Sequence, residues 1–389
     1  MSEEEVHTYD YIIAGAGLAG LSLLHRMLAA DLLDGKRLLV LDAQQKNEND
    51  RTWCYWEKEP GPFEEIVYHK WQTLDFFGPN LHRRFALEEY TYKMIRGIDF
   101  YRHVQQSIAK CSNITYLQEE ITDLAANKSA ASVTTSQGTY TAPLVFNSTP
   151  ILQPKLSQQD TLLQHFTGWV IETEEPSFDP TIGTLMDFRV QQKGGATFMY
   201  VLPTSSKRAL VEYTLFSPAI LQKEAYEKEL RAYIKGTLGL EDYTISETEF
   251  GIIPMSLHRF PKHHNGTVIN IGTAGGHTKA SSGYTFQFVQ NHVGEMVANL
   301  KGGLHPLTGS KMRQKVYDWY DRTLLEVLLS GRMEGRDIFT TMFKKLPGEK
   351  ILAFLANDSD LSDDLHIMSS LPTSKFLPAG IKQLLPARH

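Results

Sequence analysis

Three sets of residues in this chain have the types and the spacing to do chemistry. Gly15, Gly17 and Gly20 form a Gly-x-Gly-x-x-Gly run directly after an apolar stretch, and Asp42 follows at about the twenty-residue distance expected of an acid that accepts from a ribose hydroxyl. Such a turn offers backbone N–H groups and the positive end of a helix to a pyrophosphate. Gly272, Gly275 and Gly276 mark a second turn that leads into His277, which is either catalytic or structural. The third set centres on Glu212, in Leu210-Val211-Glu212-Tyr213-Thr214-Leu215-Phe216. Strand period two puts Leu210, Glu212, Thr214 and Phe216 on one face. The carboxyl group then either sits among apolar neighbours, holding a proton as an acid, or faces water on an edge strand. Trp53 and Trp56 beside Arg51 form either a binding-site wall or a hydrophobic plug under a loop.

The elements that must position these residues are legible from periodicity. Leu21, Leu24, Met27 and Leu28 predict a helix after the first glycine turn, and Leu38-Leu39-Val40-Leu41 a strand ending in Asp42. Phe286, Val289, Val293, Val297 and Leu300 predict a helix after the second turn. Two such turns facing one ligand suit a long cofactor that reaches from adenosine to an isoalloxazine, which points to FAD. Between the turns, short strands are expected at 74–77, 84–87, 114–117, 132–135 and 144–146, with a helix over 99–110. A β-rich insertion follows: a strand over 185–190 that puts Asp187 and Arg189 on one face as an ion pair, and a hairpin of 198–203 with 209–216. A helix over 219–234 covers it, with Leu221, Ala225, Leu230 and Ile234 inward. Helices at 311–330, 333–343 and 349–356 come next, and the apolar, basic end at 376–388 either rests on a membrane surface or frays.

The expected fold is therefore α/β: a Rossmann-like FAD-binding domain of residues 1–50, 90–165 and 250–305, an interleaved β-rich substrate domain of 51–89 and 166–249, and a helical C-terminal region of 306–389. A net charge of −6 with mixed signs gives no support to nucleic-acid binding. Cys54 and Cys111 are far apart, and His263 and His264 lack further ligands at metal spacing, so neither a disulfide framework nor a metal site is read. The acidic start has no leader character and no apolar run reaches bilayer-spanning length, so a cytoplasmic protein with at most peripheral membrane contact is expected.

With these stretches in place, the chain resembles the flavin-dependent lycopene beta-cyclases of carotenoid synthesis from Asp10 to about Phe354. Arg51-Thr52-Trp53-x-x-Trp56 is similar to the family's Arg-Thr-Trp signature, and Met186-Asp187-Phe188-Arg189 to its Met-Asp-Phe-Arg strand. Leu210-Val211-Glu212-Tyr213-Thr214 resembles its Phe-Leu-Glu-Glu-Thr segment, with Tyr213 in place of the second Glu. Ile253-Pro254-Met255 and the turn from Gly272 to Tyr284 also match, with Ala280 where the family often has Pro. The resemblance implies FAD, active when reduced, with NAD(P)H as reductant and lycopene or another ψ-ended carotene as substrate. It implies acid-catalysed closure of the ψ-ends to β-rings, giving gamma- and then beta-carotene, without net redox change. Glu212 becomes the acid, Asp187 and Arg189 belong to the active-site architecture, and Arg51, Thr52, Trp53, Trp56 and Tyr200 line the pocket. The chemistry agrees: protonating an unactivated alkene needs an acid in a dry pocket, and the cation needs aromatic faces without a trapping nucleophile. The rivals are a flavin-dependent isoprenoid reductase or hydroxylase of the same architecture, and a carotenoid or flavin carrier without turnover. Gly272-Thr273 lacks the Gly-Asp pair that flavin hydroxylases place on the ribityl chain, which weighs against a hydroxylase. Oligomeric state is not indicated.

Overall fold

The chain is described here by a computed structural model that covers residues 6–153, 155–307, 309 and 312–384. Its first sheet carries the glycine turns. Five parallel strands run in the order Val268–Asn270, Leu144–Asn147, Tyr11–Ala14, Leu38–Asp42 and Ile114–Gln118, with His263–His264 antiparallel at one edge. These strands are almost wholly apolar because both faces are covered. The helices Leu18–Ala29, Gly97–Ile108 and Phe286–Lys301 pack on one face around Leu21, Leu24, Phe100 and Val293. A small sheet of Val6–Thr8, Thr139–Ala142, Ala131–Thr135 and Ile121–Ala126 covers the other around Ile12, Leu39 and Val133. This is the Rossmann-type α/β architecture expected of the sequence.

A larger sheet of seven strands builds the second half, in the order Thr244–Ser256, Thr161–Glu172, Arg208–Ser217, Ala196–Ser205, Ile182–Asp187, Thr73–Gly78 and Leu81–Ala86. Residues 161–165 and 250–256, assigned from the sequence to the FAD-binding domain, are the ends of two long strands of this sheet. The helix Lys223–Gly236 seals one face through Tyr226, Leu230, Tyr233 and Ile234, so it starts later than the predicted 219 and buries Tyr226 and Tyr233 where Leu221 and Ala225 were expected. The other face packs against the C-terminal helices Gly335–Lys345 and Gly348–Leu355 and against a three-stranded sheet of Thr52–Glu57, Thr91–Arg96 and His69–Trp71.

The strand expected over 185–190 stops at Asp187. Its carboxylate accepts the Arg189 backbone N–H two residues on, at 2.9 Å, and a side chain that captures its own backbone in this way ends the ladder. At the C-terminus stand two helices, Leu361–Ser370 and Thr373–Leu384, the second of which takes in the start, from 376, of the stretch read as a resting or fraying tail. Asp360 caps the first by accepting from Asp363 N at 2.7 Å, and Pro378, which argues against a helix, stands inside the second. Leu385 and Arg388, the last residues of the predicted membrane-surface tail, lie outside the described residues.

Candidate active site

The first glycine turn has the shape a pyrophosphate needs. Gly15 has φ +101°, a conformation that L side chains rarely adopt. A Cβ on Gly20 would lie 2.1 Å from the Gly15 carbonyl oxygen, so only glycine lets the Leu18–Ala29 helix close on the turn. Nothing lies within 4 Å of the side-chain position at Gly17, the N-cap, and no side chain caps the helix or places an acid in its first turn. The N–H groups there are left facing open space, as an anion would require. Asp42 accepts from Ala16 N at 2.7 Å and from Gln44 N at 2.8 Å, so it also pins the turn, with lone pairs left for a ribose hydroxyl.

The second turn meets the first. Gly272, at φ +60°, brings its backbone so close to the first helix that a Cβ would lie 2.8 Å from the Ala19 Cβ. Gly275 and Gly276 follow in the same turn, and the Phe286–Lys301 helix beyond it likewise has no side-chain cap at Thr285. These features fit a dinucleotide stretched across both turns. His277 is half-buried as a residue and stacked on His292 with ring centroids 3.5 Å apart, and desolvation of its ring pushes the imidazole well below the usual histidine range, which favours the packing role over the catalytic one.

Glu212 does not face water. Its strand is interior, between Thr161–Glu172 and Ala196–Ser205, and the residue is 9 % exposed. Leu210 and Phe216 flank it in the larger core, and Thr214 donates to its Oε1 at 2.7 Å. Burial first, and then the charge of Glu249, push its carboxyl group well above the usual carboxylate range, against the pull of the Thr214 hydrogen bond. Glu249, on the outermost strand, is a neighbour that the sequence reading missed. Its residue keeps some surface because that strand is the sheet edge, but its carboxyl is turned inward, bonded to Thr52 and Glu212. Burial raises this carboxyl too, while the Thr52 and Glu212 hydrogen bonds and the Arg51 charge draw it back. The available signal was the period-two row Glu249, Gly251, Ile253, Met255, which places Glu249 on the face that ends in the core.

Beside Glu212 lies an aromatic cluster. Tyr200 is its cross-strand partner, and the Tyr200 hydroxyl meets that of Tyr284, at the end of the second glycine turn, at 3.5 Å. The Tyr284 ring then meets Trp56 edge-on at 4.6 Å. Cys54, Tyr55, Trp56, Tyr284, Phe286 and Leu355 line a cleft between the two halves. Burial pushes up the Cys54 thiol and the Tyr92, Tyr200 and Tyr284 hydroxyls, so this wall stays uncharged. Tyr284 is the second residue the sequence reading passed over.

The remaining predicted residues divide. Trp56 is buried and donates from Nε1 to Leu352 O at 3.0 Å, which makes it both plug and cleft wall. Trp53 is half-buried and packs edge-on against Phe100 at 5.3 Å, with Phe286 at 6.1 Å. Thr52 serves Glu249, and Arg51 is an exposed side chain paired with Asp50 at 3.1 Å. Asp187 and Arg189 are not brought to Glu212. Asp187 is in register with Met199, whose neighbour Tyr200 is the one that partners Glu212, so it points to the opposite side of the sheet. There it accepts from Arg189 Nη2 at 2.6 Å and from the Tyr233 hydroxyl at 2.7 Å.

The sequence model of the family described as Lycopene cyclase protein matches residues 10–379. A lycopene beta-cyclase of Paracoccus sp. is 26 % identical over 98 % of this chain and 98 % of its own length. A geranylgeranyl bacteriochlorophyll reductase-like protein of Thermoplasma acidophilum has the same fold, with a TM-score of 0.61 at 13 % identity over 98 % of this chain and 99 % of that one. The halogenase PltM, crystallised in complex with FAD, superposes with a TM-score of 0.55 at 11 % identity over 88 % of this chain and 78 % of its own.

Proposed function

The chain belongs to the lycopene cyclase family, and on that premise we propose that it is a lycopene beta-cyclase that closes the ψ-ends of lycopene, or of another ψ-ended carotene, to β-rings. The observation that carries this reading is Glu212: a carboxyl group buried in the sheet interior and pushed by that burial well above the usual carboxylate range, beside aromatic rings and, among the described residues, in no ion pair. Protonated Glu212 gives its proton to the terminal alkene, and the rings of Tyr200, Tyr284 and Trp56 face the resulting tertiary cation without charge. The neighbouring alkene attacks, and loss of a ring proton completes an isomerisation without net redox change.

FAD fits the two turns: Gly15, Gly17 and Gly20 would receive the pyrophosphate, Asp42 the ribose, and the Gly272, Gly275 and Gly276 turn the flavin end. Bound and reduced, it would supply negative charge beside the cation, with NAD(P)H as the electron source. Leu361, Leu365, Leu377, Ile381 and Leu384 are exposed on the last two helices beside Lys375 and Lys382. This supports peripheral contact with the cytoplasmic membrane face, where a carotene resides. No helix among the described residues is long and apolar enough to cross a membrane.

The test is anaerobic. Purified protein, FAD reduced beforehand with dithionite, and lycopene in liposomes should give products of unchanged mass with one or two β-rings over many turnovers. A mass shift matched to flavin oxidation moves the chain to the reductase or hydroxylase class. Lycopene bound but unchanged makes it a carrier.

A further inference from the structure

Gly168 lies between two carboxyl groups. It is the cross-strand partner of Glu212 on one side and of Glu249 on the other. Both glutamates therefore rise from one face, two strands and about 10 Å of backbone apart. The Glu249 side chain reaches across that gap over the glycine: a Cβ at position 168 would meet Glu249 Cγ at 2.9 Å and its Oε1 at 3.0 Å. Any side chain there would push Glu249 aside. The Glu212 and Glu249 carboxyls lie on the same face on either side of this glycine and each acts on the other's proton, and two carboxyl groups can bond only with a proton between them.

The surroundings are asymmetric. Glu249 faces Thr52, Arg51 and Glu247, whereas Glu212 faces Thr214 and the neutral hydroxyls of Tyr92, Tyr200 and Tyr284, and the Cys54 thiol lies beside both carboxyls. Arg51 acts on Glu249, and Glu247 is itself paired with Arg208. Negative charge is thus placed more favourably on Glu249 than on Glu212.

We propose that Glu249 and Glu212 form a one-proton carboxyl pair, in which ionised Glu249 accepts from protonated Glu212 and keeps the proton on the acid that faces the aromatic cleft. This rests on Glu212 as the cyclisation acid, and Glu249 is a positioning residue that acts through it. Two carboxylates so placed resist ionising together, so the pair at rest keeps one proton and one charge. When Glu212 protonates the alkene, its O–H bond breaks and a C–H bond forms, which leaves two negative charges beside the tertiary cation. After closure a ring C–H bond breaks and an O–H bond forms again on the pair. Nothing is oxidised or reduced, and the proton count is restored.

The pair is read by isotope-edited infrared titration of FAD-loaded protein carrying 13C-labelled glutamate, without carotene. Wild type should show a protonated carboxyl band at pH 7 that Glu212→Gln removes. In Glu249→Gln the band should be lost at a midpoint lower by about one pH unit or more, with the alkaline limb of cyclisation moving alongside. Thr52→Val, which removes a donor to Glu249, should raise the pH at which the pair takes its second proton, and it carries the test should Glu249→Gln fail to fold. No protonated carboxyl in the wild type, or midpoints unmoved by these substitutions, overturns the pair. If Glu212→Gln still cyclises lycopene, the acid assignment falls, while the titration still decides whether the pair exists.

Discussion

On the face of the large sheet covered by the Lys223–Gly236 helix, the buried Asp187 is answered at once by the Arg189 guanidinium and the Tyr233 hydroxyl. On the opposite face the buried Glu212 receives one hydroxyl, from Thr214, and a second carboxyl group, from Glu249. Like charges about 4 Å apart repel by about 4 kcal/mol at an effective dielectric near 20, enough to move a carboxyl by about three pH units. Pairing with a cation secures a folded carboxylate. Pairing with another acid keeps a proton in place, at a cost in stability. One sheet thus carries a carboxyl answered by a cation and, on the proposed function, a chemical one, back to back.

The comparison breaks most visibly on activity. Glu212→Gln keeps size and polarity but has no acidic proton, and should lower cyclisation by about 10³-fold, within the range for a positioned general acid, with flavin binding unchanged in its absorbance spectrum. Asp187→Asn should do the reverse. It strips the charge from a buried pair whose Arg189 is 44 % exposed, so solvent takes up part of the loss, and denaturant titration should show about 2 kcal/mol of destabilisation. Turnover per folded molecule should stay within a few-fold. Were Asp187→Asn to abolish turnover in a fully folded protein, the division between the two faces would fail.

The pH dependence of stability gives a finer cut. The Glu212 carboxyl is raised in the folded state, so from an unfolded value near 4.5 upward the unfolded chain binds fewer protons than the folded one. Folded stability therefore falls with rising pH until the folded group itself ionises, by about 1.4 kcal/mol for each unit in that window. Glu212→Gln removes this slope. It should leave thermal stability unchanged near pH 4.5 and raise it relative to wild type at pH 7. A variant that is less stable at pH 7 would mean that Glu212 is held as an ordinary carboxylate, like its counterpart across the sheet.

What the sequence disclosed follows from how local each feature is. The Gly15–Gly20 turn and Asp42 belong to one strand–turn–helix–strand unit and the second turn repeats strand, turn and helix, so spacing was enough to read them. The face of Glu212 was legible from period two, but its burial depends on the strands on either side, which spacing does not reveal. Glu249 was hidden for the same reason: its meeting with Glu212 is made by Gly168, far from both in the chain, at the centre of a three-strand register. The Asp187–Arg189 ion pair was legible from their spacing, but that it lies on the face away from Glu212 depends on the register of Asp187 with Met199, which spacing does not reveal. The Thr373–Leu384 helix was masked by Pro378, which composition treats as a breaker.

The smallest effect tests whether the Glu212 face uses its aromatic rings or their hydroxyl groups. Tyr284 contributes both: a hydroxyl 3.5 Å from that of Tyr200, at the limit of a hydrogen bond, and a ring set edge-on to Trp56 at 4.6 Å. A bond so long is worth little, and removing it from both sides leaves little unsatisfied. A cation is stabilised by the ring face, which phenylalanine keeps. Tyr284→Phe should therefore cyclise within about twofold of wild type, whereas Tyr284→Leu, which keeps apolar bulk but loses the π-face, should lose about tenfold, matching the one to two kcal/mol of a desolvated cation–π contact. Equal losses in the two variants would transfer the role to the hydroxyl, and the Glu212 face would then resemble the Asp187 face, where Tyr233 acts through its oxygen.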